Sequence, residues 1–450
     1  MLVKTKEITK FEKYFLFVLF FELFAGGGGR FIEIGPLSIR QVLFIGILLI
    51  FGCRFILNKD SRKELLSYFI KPNTAIFWLS IAMVVWIGAS ALLGIMNHHG
   101  LGMIVTDSLR VIFVILIIPF IYYIDEKRFS VKNLVTVLFW ATLVVSLITI
   151  TITLIGKFMT DSQFYYFYKD VNALFPGDLY FRPSRGVFYK SHFLVLFTLI
   201  IGTIKLMEKQ LTKFQGLVMV LGTVSVILSE TRGLYLGYLV GLLTYVLTKI
   251  VIYFWGNRQS LALSKKNNVR RLIILVVAIM GTFYFYTNST ISRFSEPGGA
   301  SQSEYQEEQP VEDVSMNVRL VLFQDSIRII KASKVGAIVG NGYGTKIGDR
   351  ITGIEMSFVD IYVEQGLIGT LIWLLYALLP LYYFFRSFMI RKKLDNINIG
   401  LLGCTLAMIL VTNINPFLNG PIGLGFLLPV IVLSYKLFRD SKDNKNEEVA

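Results

Sequence analysis

The sequence predicts an all-α integral membrane protein with about 12 transmembrane helices. Hydrophobic residues make up 54% of the 450 residues, and the mean hydropathy is +0.62. Continuous apolar runs of roughly 20 residues, the length that crosses a hydrocarbon core, recur along the chain, whereas a transmembrane β-barrel would show alternating segments of about ten residues. The predicted spans are residues 12–27, 39–57, 75–96, 101–124, 134–156, 187–207, 215–229, 234–255, 272–287, 357–386, 397–413 and 421–438.

Basic residues predict the orientation of the chain. Most of the 45 Lys and Arg residues fall into segments that successive spans place on the same side as the N-terminus. Because cytoplasmic loops carry the excess of Lys and Arg, we expect both termini in the cytoplasm, with residues 1–438 as the transmembrane domain and 439–450 as a cytoplasmic tail. The net charge of +15 is then a topology signal and a contact for membrane lipids, and it indicates no nucleic-acid partner.

Two long connections are predicted on the extracytoplasmic side, and long connections in a compact protein are usually functional. The first, residues 157–186, contains an aromatic run at 164–168 and ends in a basic stretch at 182–186. The aromatic rings could stack on sugars, or they could anchor a surface helix at the membrane interface. Residue type alone favours the interfacial helix.

The second long connection, residues 288–356, is the predicted catalytic loop. Its part from 295 to 310 has a flexible composition, and its part from 317 to 332 is amphipathic. We expect the amphipathic part to form a helix on the membrane surface or over the bundle, with Arg319 off its apolar stripe. The predicted stripe consists of Leu320, Phe323, Ile327 and Ile330. Residues 340–344, Gly-Asn-Gly-Tyr-Gly, follow and form a glycine-rich turn that permits close backbone approach.

Charged side chains stand at the entrances of two predicted spans. Glu355 precedes the span at 357–386, and Arg232 precedes the span at 234–255. Because charge at membrane depth is costly, these positions indicate a cavity or an anionic partner, although Arg232 could simply extend its head group into water. Asp107 and Arg110, three residues apart on one predicted helix face, are expected to pair.

Several motifs occur in an order that resembles the O-antigen ligase and polymerase superfamily. They are Arg182-Pro183-Ser184-Arg185-Gly186, Ser229-Glu230-Thr231-Arg232-Gly233, Asn317-Val318-Arg319-Leu320, Val339-Gly340-Asn341-Gly342-Tyr343-Gly344 and Glu364-Gln365-Gly366-Leu367-Ile368-Gly369. The resemblance covers residues 181–369 by motif and the remainder by hydropathy alone.

The resemblance implies a glycosyltransferase of the GT-C type in the bacterial cytoplasmic (inner) membrane, with its active site on the extracytoplasmic face. The implied donor is a glycan on undecaprenyl pyrophosphate, and neither a cofactor nor a metal is implied. Other implied partners are membrane lipids, a flippase and a chain-length regulator. The sequence has no Asp-x-Asp pair and no His, Glu or Cys cluster with metal-ligand spacing.

The resemblance also implies roles for individual residues. Arg232 and Arg319 are the candidates for binding the pyrophosphate, since a guanidinium group can hold phosphate oxygens in a bidentate manner. Arg182, Arg185 and Tyr343 are further candidates for substrate contact.

Glu355 is the candidate catalytic base. In the ligase branch of the superfamily the motif at this position usually begins with His. The acid Glu355 therefore favours a polymerase over a ligase. A carboxylate at an apolar mouth can act as a general base, but Glu355 could also cap the helix that begins near Ser357.

Two other classes of function remain open at this point. A polysaccharide flippase or other transporter would show internal repeats with interrupted helices at corresponding positions, and the sequence shows no convincing repeat. A sensor or a structural membrane protein would have no need of the aligned motifs.

Overall fold

A computed structural model describes residues 8–29, 33–34, 37–70, 75–256, 265–295, 314–348 and 353–449. In the first half the helices are α1 (Lys10–Ala25), α2 (Ile39–Leu57), α3 (Lys59–Ile70), α4 (Ala75–Met96), α5 (Leu101–Val111), α6 (Ile117–Tyr123), α7 (Val131–Lys157) and α8 (Asp161–Leu174). A 3-10 turn, Ile112–Leu116, joins α5 to α6. Residues 296–310 of the stretch predicted to be flexible lie outside the described residues.

The second half is also helical. Its helices are α9 (His192–Met207), α10 (Lys213–Leu228), α11 (Arg232–Trp255), α12 (Lys265–Ser295), α13 (Val314–Ala332), α14 (Lys334–Val339), α15 (Ser357–Arg391), α16 (Asn396–Val411) and α17 (Pro421–Val449). The described residues contain two short antiparallel hairpins, made by β1 (Glu33–Ile34) with β2 (Leu37–Ser38) and by β3 (Leu179–Phe181) with β4 (Val187–Tyr189).

The fold is therefore that of an all-α protein with several helices able to span a membrane. Within the described residues, eight helical segments are long and apolar enough to do so, and α9, α10 and α16 are shorter apolar helices. Each of the 12 predicted spans contains helical structure, but the span predicted at 187–207 began too early, because residues 187–189 form β4 and α9 starts at His192. The total of 12 crossings stays a prediction.

The centre of the bundle is formed by α9 and α17. Every face of α9 is buried, as expected for a helix that is apolar all round. The buried residues include Phe193, Val195, Phe197 and Ile200. α9 packs against α7, α10, α11 and α16, and α17 packs against α15. The predicted tail at 439–450 continues α17 as a helix to Val449.

Two buried ion pairs join α1 to α2. Arg54 Nε donates to Glu12 Oε1 at 2.6 Å, and Arg40 Nε donates to Glu22 Oε2 at 2.9 Å. A charge buried in this way needs a partner, and each carboxylate here has a guanidinium group. We call the end of the bundle at which α11 and α15 begin the site end, and the end at which they finish the opposite end.

Candidate active site

Arg319 and Glu355 form an ion pair at the site end. Arg319 Nε lies 2.7 Å from Glu355 Oε2, and the two side chains are 22% and 32% exposed. Arg319 lies on α13, and Glu355 lies in the turn before α15. The pair is thus charged, partly desolvated and still accessible to a ligand from outside the bundle.

The face that α13 buries differs from the predicted stripe. Leu322, Ser326 and Ile330 are buried, whereas Leu320 and Phe323 are 55% and 41% exposed. The buried face packs on Ile347, Ile354 and Val363, which places α13 over the beginning of α15. The prediction of a helix over the bundle is correct, and its stripe is correct in part, since Ile330 is buried and Ile327 is partly buried in this cluster. The stripe fails at Leu320 and Phe323 because it considered only apolar residues, whereas the buried face includes Ser326, whose hydroxyl donates to the carbonyl of Leu322.

Glu355 is not the capping residue of α15. The N-cap is Met356, which makes no side-chain cap hydrogen bond, and the backbone N–H of Ser357 donates to Thr412 O at 3.0 Å. The N-cap position of α15 is therefore occupied by Met356.

A second charged cluster lies immediately inside the first and has Arg110 at its centre. Arg110 Nη2 lies 3.0 Å from Asp360 Oδ2, 3.3 Å from Glu364 Oε2 and 3.7 Å from Asp107 Oδ1. The predicted Asp107–Arg110 pair is thus confirmed, but two acids from α15 share the same guanidinium. Asn419 also donates to Asp360, at 2.7 Å. We call Asp107, Arg110, Asp360 and Glu364 the Arg110 cluster.

The Arg110 cluster is strongly desolvated and contains unpaired polar atoms. The three carboxylate side chains are at most 2% exposed, whereas that of Arg110 is 20% exposed. Within the described residues, Asp107 Oδ1, Arg110 Nε and Asn419 Oδ1 are buried without a hydrogen-bond partner. Three carboxylates around one guanidinium group make an environment in which any loss of the cation is costly.

The Arg319–Glu355 pair and the Arg110 cluster are joined through the backbone that precedes Glu355. The N–H of Ile354 donates to Asp360 Oδ1 at 3.2 Å, and Gly353 lies so close to the Arg110 guanidinium that a Cβ atom there would collide with it. The Arg110 cluster therefore fixes the backbone that immediately precedes Glu355.

The glycine-rich turn fills a break in α15. Gly366 has a φ of +67° and interrupts the helix, which removes helical partners from nearby carbonyl groups. The N–H groups of Asn341 and Gly342 donate to the carbonyls of Val363 and Glu364 at 3.0 and 2.8 Å. These bonds hold the end of α15 that carries Asp360 and Glu364.

The turn also reaches two other helices. Tyr343 N donates to Ser90 O on α4 at 3.0 Å, and Gly344 N donates to Asp107 Oδ2 on α5 at 3.0 Å. Gly342 has a φ of +87°, and a Cβ atom there would collide with the backbone of Gly94. The glycines therefore bring backbone against backbone, instead of opening a cleft for a ligand.

Tyr343, a predicted substrate contact, is fully buried. Its side chain is 0% exposed, and within the described residues its hydroxyl has no hydrogen-bond partner. Burial and the neighbouring Glu364 carboxylate raise the pKa of Tyr343 well above its usual value. Tyr343 is therefore a neutral hydroxyl beside the Arg110 cluster and does not face solvent.

The predicted contact Arg182 supports the entrance of α11. Arg182 Nε donates to Ser229 O at 3.0 Å, and its Nη2 donates to Thr231 Oγ1 at 3.0 Å. Arg232, the next residue, is half-buried and begins α11. Arg185 instead binds the end of α7 and the start of α8 through Gly156 O, Met159 O and Asp161.

The entrances of α11 and α15 meet the same connection between α16 and α17. Gly233 packs on Ile414, and Ser357 Oγ accepts a hydrogen bond from Thr412 Oγ1 at 2.7 Å. The structure therefore brings Arg319 to Glu355 directly, and it places the Arg232 entrance against the segment that also supports α15.

The aromatic run in the first long connection lies on the surface helix α8. Tyr165 and Tyr166 are 58% and 67% exposed, whereas Phe164 packs against Phe181 and lies under the Arg185 guanidinium. The run is therefore divided between an exposed face and a face that anchors the β3–β4 hairpin.

Sequence reasoning missed the role of Asp360, Glu364 and Asn419. Glu364 stood inside a motif, but its partner Arg110 lies 254 residues away in the chain. Among the described residues, no group of three or more His, Cys, Asp or Glu side chains could hold a metal ion. The centre of the Arg110 cluster is occupied by the guanidinium group.

Comparisons with models of protein families and with curated proteins gave no match for this chain.

Proposed function

We propose that this protein is a membrane glycosyltransferase that polymerises a bacterial surface polysaccharide, such as O-antigen, capsule or exopolysaccharide. It moves a growing glycan from undecaprenyl pyrophosphate onto a lipid-linked repeat unit. The observation that carries the proposal is the accessible Arg319–Glu355 pair, because it joins a cation suited to phosphate and a carboxylate suited to proton transfer at one helix entrance.

In the proposed reaction, a hydroxyl oxygen of the acceptor sugar attacks the anomeric carbon of the donor glycan. The bond from that carbon to the pyrophosphate oxygen breaks, and undecaprenyl pyrophosphate leaves with the electron pair. Glu355 takes the proton from the attacking hydroxyl. Arg319 and Arg232 stabilise the charge that develops on the leaving group.

The Arg319–Glu355 distance fits both roles. At 2.7 Å the Arg319 guanidinium orients the Glu355 carboxylate and holds it at the helix entrance, where an acceptor hydroxyl would have to reach it. When a pyrophosphate binds, Arg319 exchanges part of this contact for phosphate oxygens, and the released carboxylate is free to accept a proton. The acid at position 355, where the ligase branch has His, favours polymerase over ligase.

A polysaccharide flippase is the second candidate, and one observation favours it. Two apolar helical segments are interrupted, at the 3-10 turn Ile112–Leu116 and at Gly366, and interrupted helices are common at transporter binding sites. The two segments also share the Arg110 cluster. Counted among the 12 predicted spans they are the fourth and the tenth, which are corresponding positions in two halves of six.

One reconstitution separates these candidates. The full-length protein is purified, inserted into lipid vesicles and supplied with undecaprenyl-pyrophosphate repeat units alone, in the presence of a chelator. A polymerase gives a ladder of longer glycans. Transfer only to an added lipid acceptor indicates a ligase, and movement of repeat units across the vesicle without elongation indicates a flippase. Either of these last two results overturns the proposal.

A further inference from the structure

A large charged cavity lies at the opposite end of the bundle. It has a volume of about 1500 Å³ and is lined by residues from the α6–α7 connection, from the last turns of α11 and α15, from the start of α16 and from the second half of α17. The Arg319–Glu355 pair and the Arg110 cluster do not contribute to it. Nothing in the proposed transfer reaction uses it.

The lining of this cavity has an excess of positive charge. Nine basic and six acidic side chains line it. Three of the acids are neutralised in ion pairs: Glu208 with Lys249 and Arg271, Asp125 with Lys436, and Glu64 with Arg128. The basic side chains outnumber the acids by three, and the cavity therefore attracts anions.

Four of the basic residues, Lys127, Lys132, Arg391 and Lys393, form no close ion pair within the described part of the chain, and of these Arg391 interacts at longer range with Asp440, which also lines the cavity. Lys127 lies in the α6–α7 connection and Lys132 in the first turn of α7, whereas Arg391 and Lys393 lie at and just after the end of α15, so two separate parts of the chain supply these cations to the lining. Cations that separate elements supply to one concave site can contact a multivalent anion together. Basic residues that served only to orient the chain in the membrane would be scattered over a convex surface and would not line one cavity.

The helix ends at the cavity strengthen this preference. α7 and α16 both begin there, and neither N-cap residue makes a side-chain cap hydrogen bond. The first N–H groups of α7 and the positive end of its dipole therefore add to the charge of the four cations, whereas at the start of α16 the Asp395 carboxylate offsets part of this effect.

We propose that this cavity is a binding site for a phosphate-bearing anion, either the head group of an anionic phospholipid or a free pyrophosphate. The several oxygens of a pyrophosphate group can contact more than one of the four cations, and a phospholipid head group presents the same phosphate chemistry. The inference is independent of the proposed function.

The test compares two variants of the full-length protein. The cavity variant carries Lys127→Gln, Lys132→Gln, Arg391→Gln and Lys393→Gln. The control variant carries Lys10→Gln, Lys13→Gln, Lys59→Gln and Lys213→Gln, which removes the same charge from exposed positions at the same end but outside the cavity. Thermal unfolding profiles of both variants establish that they are folded.

Each protein is inserted into phosphatidylcholine nanodiscs and titrated with inorganic pyrophosphate, and binding is measured by calorimetry. In detergent it is mixed with phosphatidylglycerol or phosphatidylcholine, and bound lipid is counted by native mass spectrometry. We expect wild type and control to bind one of the two anions, and the cavity variant to bind it at least about tenfold more weakly.

The two arms identify the source of the phosphate. Binding of pyrophosphate indicates a soluble ligand, and preferential retention of phosphatidylglycerol over phosphatidylcholine indicates a lipid. Failure of wild type to bind either anion overturns the proposal. Equal loss of binding in the cavity and control variants also overturns it, because general charge would then explain the effect.

Discussion

Arg319 Nε lies 2.7 Å from Glu355 Oε2, so a helix of the second long connection and the turn before α15 meet in one ion pair. The two residues are 36 positions apart in the chain, and their pairing depends on the packing of α13 over Ile354 and Val363. The residues that the superfamily resemblance assigned to phosphate binding and to proton transfer are therefore neighbours.

The charge of Arg319 alone is not expected to be sufficient for activity. Lys at this position keeps the charge but loses the planar guanidinium group that can contact carboxylate and phosphate together. We expect Arg319→Lys and Arg232→Lys each to reduce glycan elongation by at least about tenfold while the protein still folds. The measurement is polymer length and rate in reconstituted vesicles.

Arg328→Lys is the matched control for these variants. Arg328 lies on the same helix as Arg319, but its side chain is 81% exposed and pairs with Asp325. Its replacement should leave elongation unchanged. Polymer of wild-type length from both Arg319→Lys and Arg232→Lys would contradict the phosphate-binding role.

The Arg110 cluster is expected to dominate the stability of the site end. Arg110→Gln leaves three buried carboxylates without their cation, and breaking a buried ion pair in this way costs about 3 to 5 kcal/mol. Thermal unfolding in detergent measures the effect. Adding Glu364→Gln should recover part of the loss, because one buried negative charge is then removed.

The same substitution in an exposed ion pair, Arg328 with Asp325, gives the loss of stability against which Arg110→Gln is compared. Arg328→Gln should cost no more than about 1 kcal/mol, since surface ion pairs contribute little. Equal destabilisation by Arg110→Gln and Arg328→Gln would show that the cluster is hydrated and loosely packed.

The glycine-rich turn is expected to tolerate no side chain at Gly342. Its φ of +87° disfavours Ala, and the new Cβ atom would meet the backbone of Gly94 on α4. We expect Gly342→Ala to lower the unfolding temperature markedly and to abolish elongation, because the turn supports the break in α15. Gly88→Ala, on the same α4 but with open space around it, should be neutral. Similar behaviour of the two variants would contradict this account of the turn.

The orientation of the bundle can be tested with single cysteines. In a background without Cys53 and Cys404, we place Cys at Ser162 on α8 and at Ser67 on α3, both of which are exposed. The excess of basic residues in the predicted cytoplasmic segments predicts that a membrane-impermeant thiol reagent labels Ser162→Cys in intact cells and labels Ser67→Cys only after permeabilisation. The reverse pattern would place the Arg319–Glu355 pair in the cytoplasm and exclude a lipid-linked donor on the outer face.

How much of this fold the sequence predicts depends on how far apart in the chain the interacting residues lie. The apolar runs specify the helices locally, so each predicted span contains a helix, although residues 187–189 at the start of the sixth span pair as β4. The Arg110 cluster could be predicted only in part, because the Asp107–Arg110 pair lies within one helix turn whereas Asp360 and Glu364 approach from 250 or more residues away. The break at Gly366 escaped prediction because the turn that stabilises it, residues 340–344, lies outside the predicted span.

The role of Glu355 is tested most directly by Glu355→Gln in the elongation assay. The amide preserves the size of the side chain but cannot accept the proton, so a general base predicts a rate lower by about 100-fold to 10,000-fold. Glu126→Gln, at an exposed position of the opposite end, is the control, and unfolding profiles establish that both variants are folded. Near-normal elongation by folded Glu355→Gln would contradict the account.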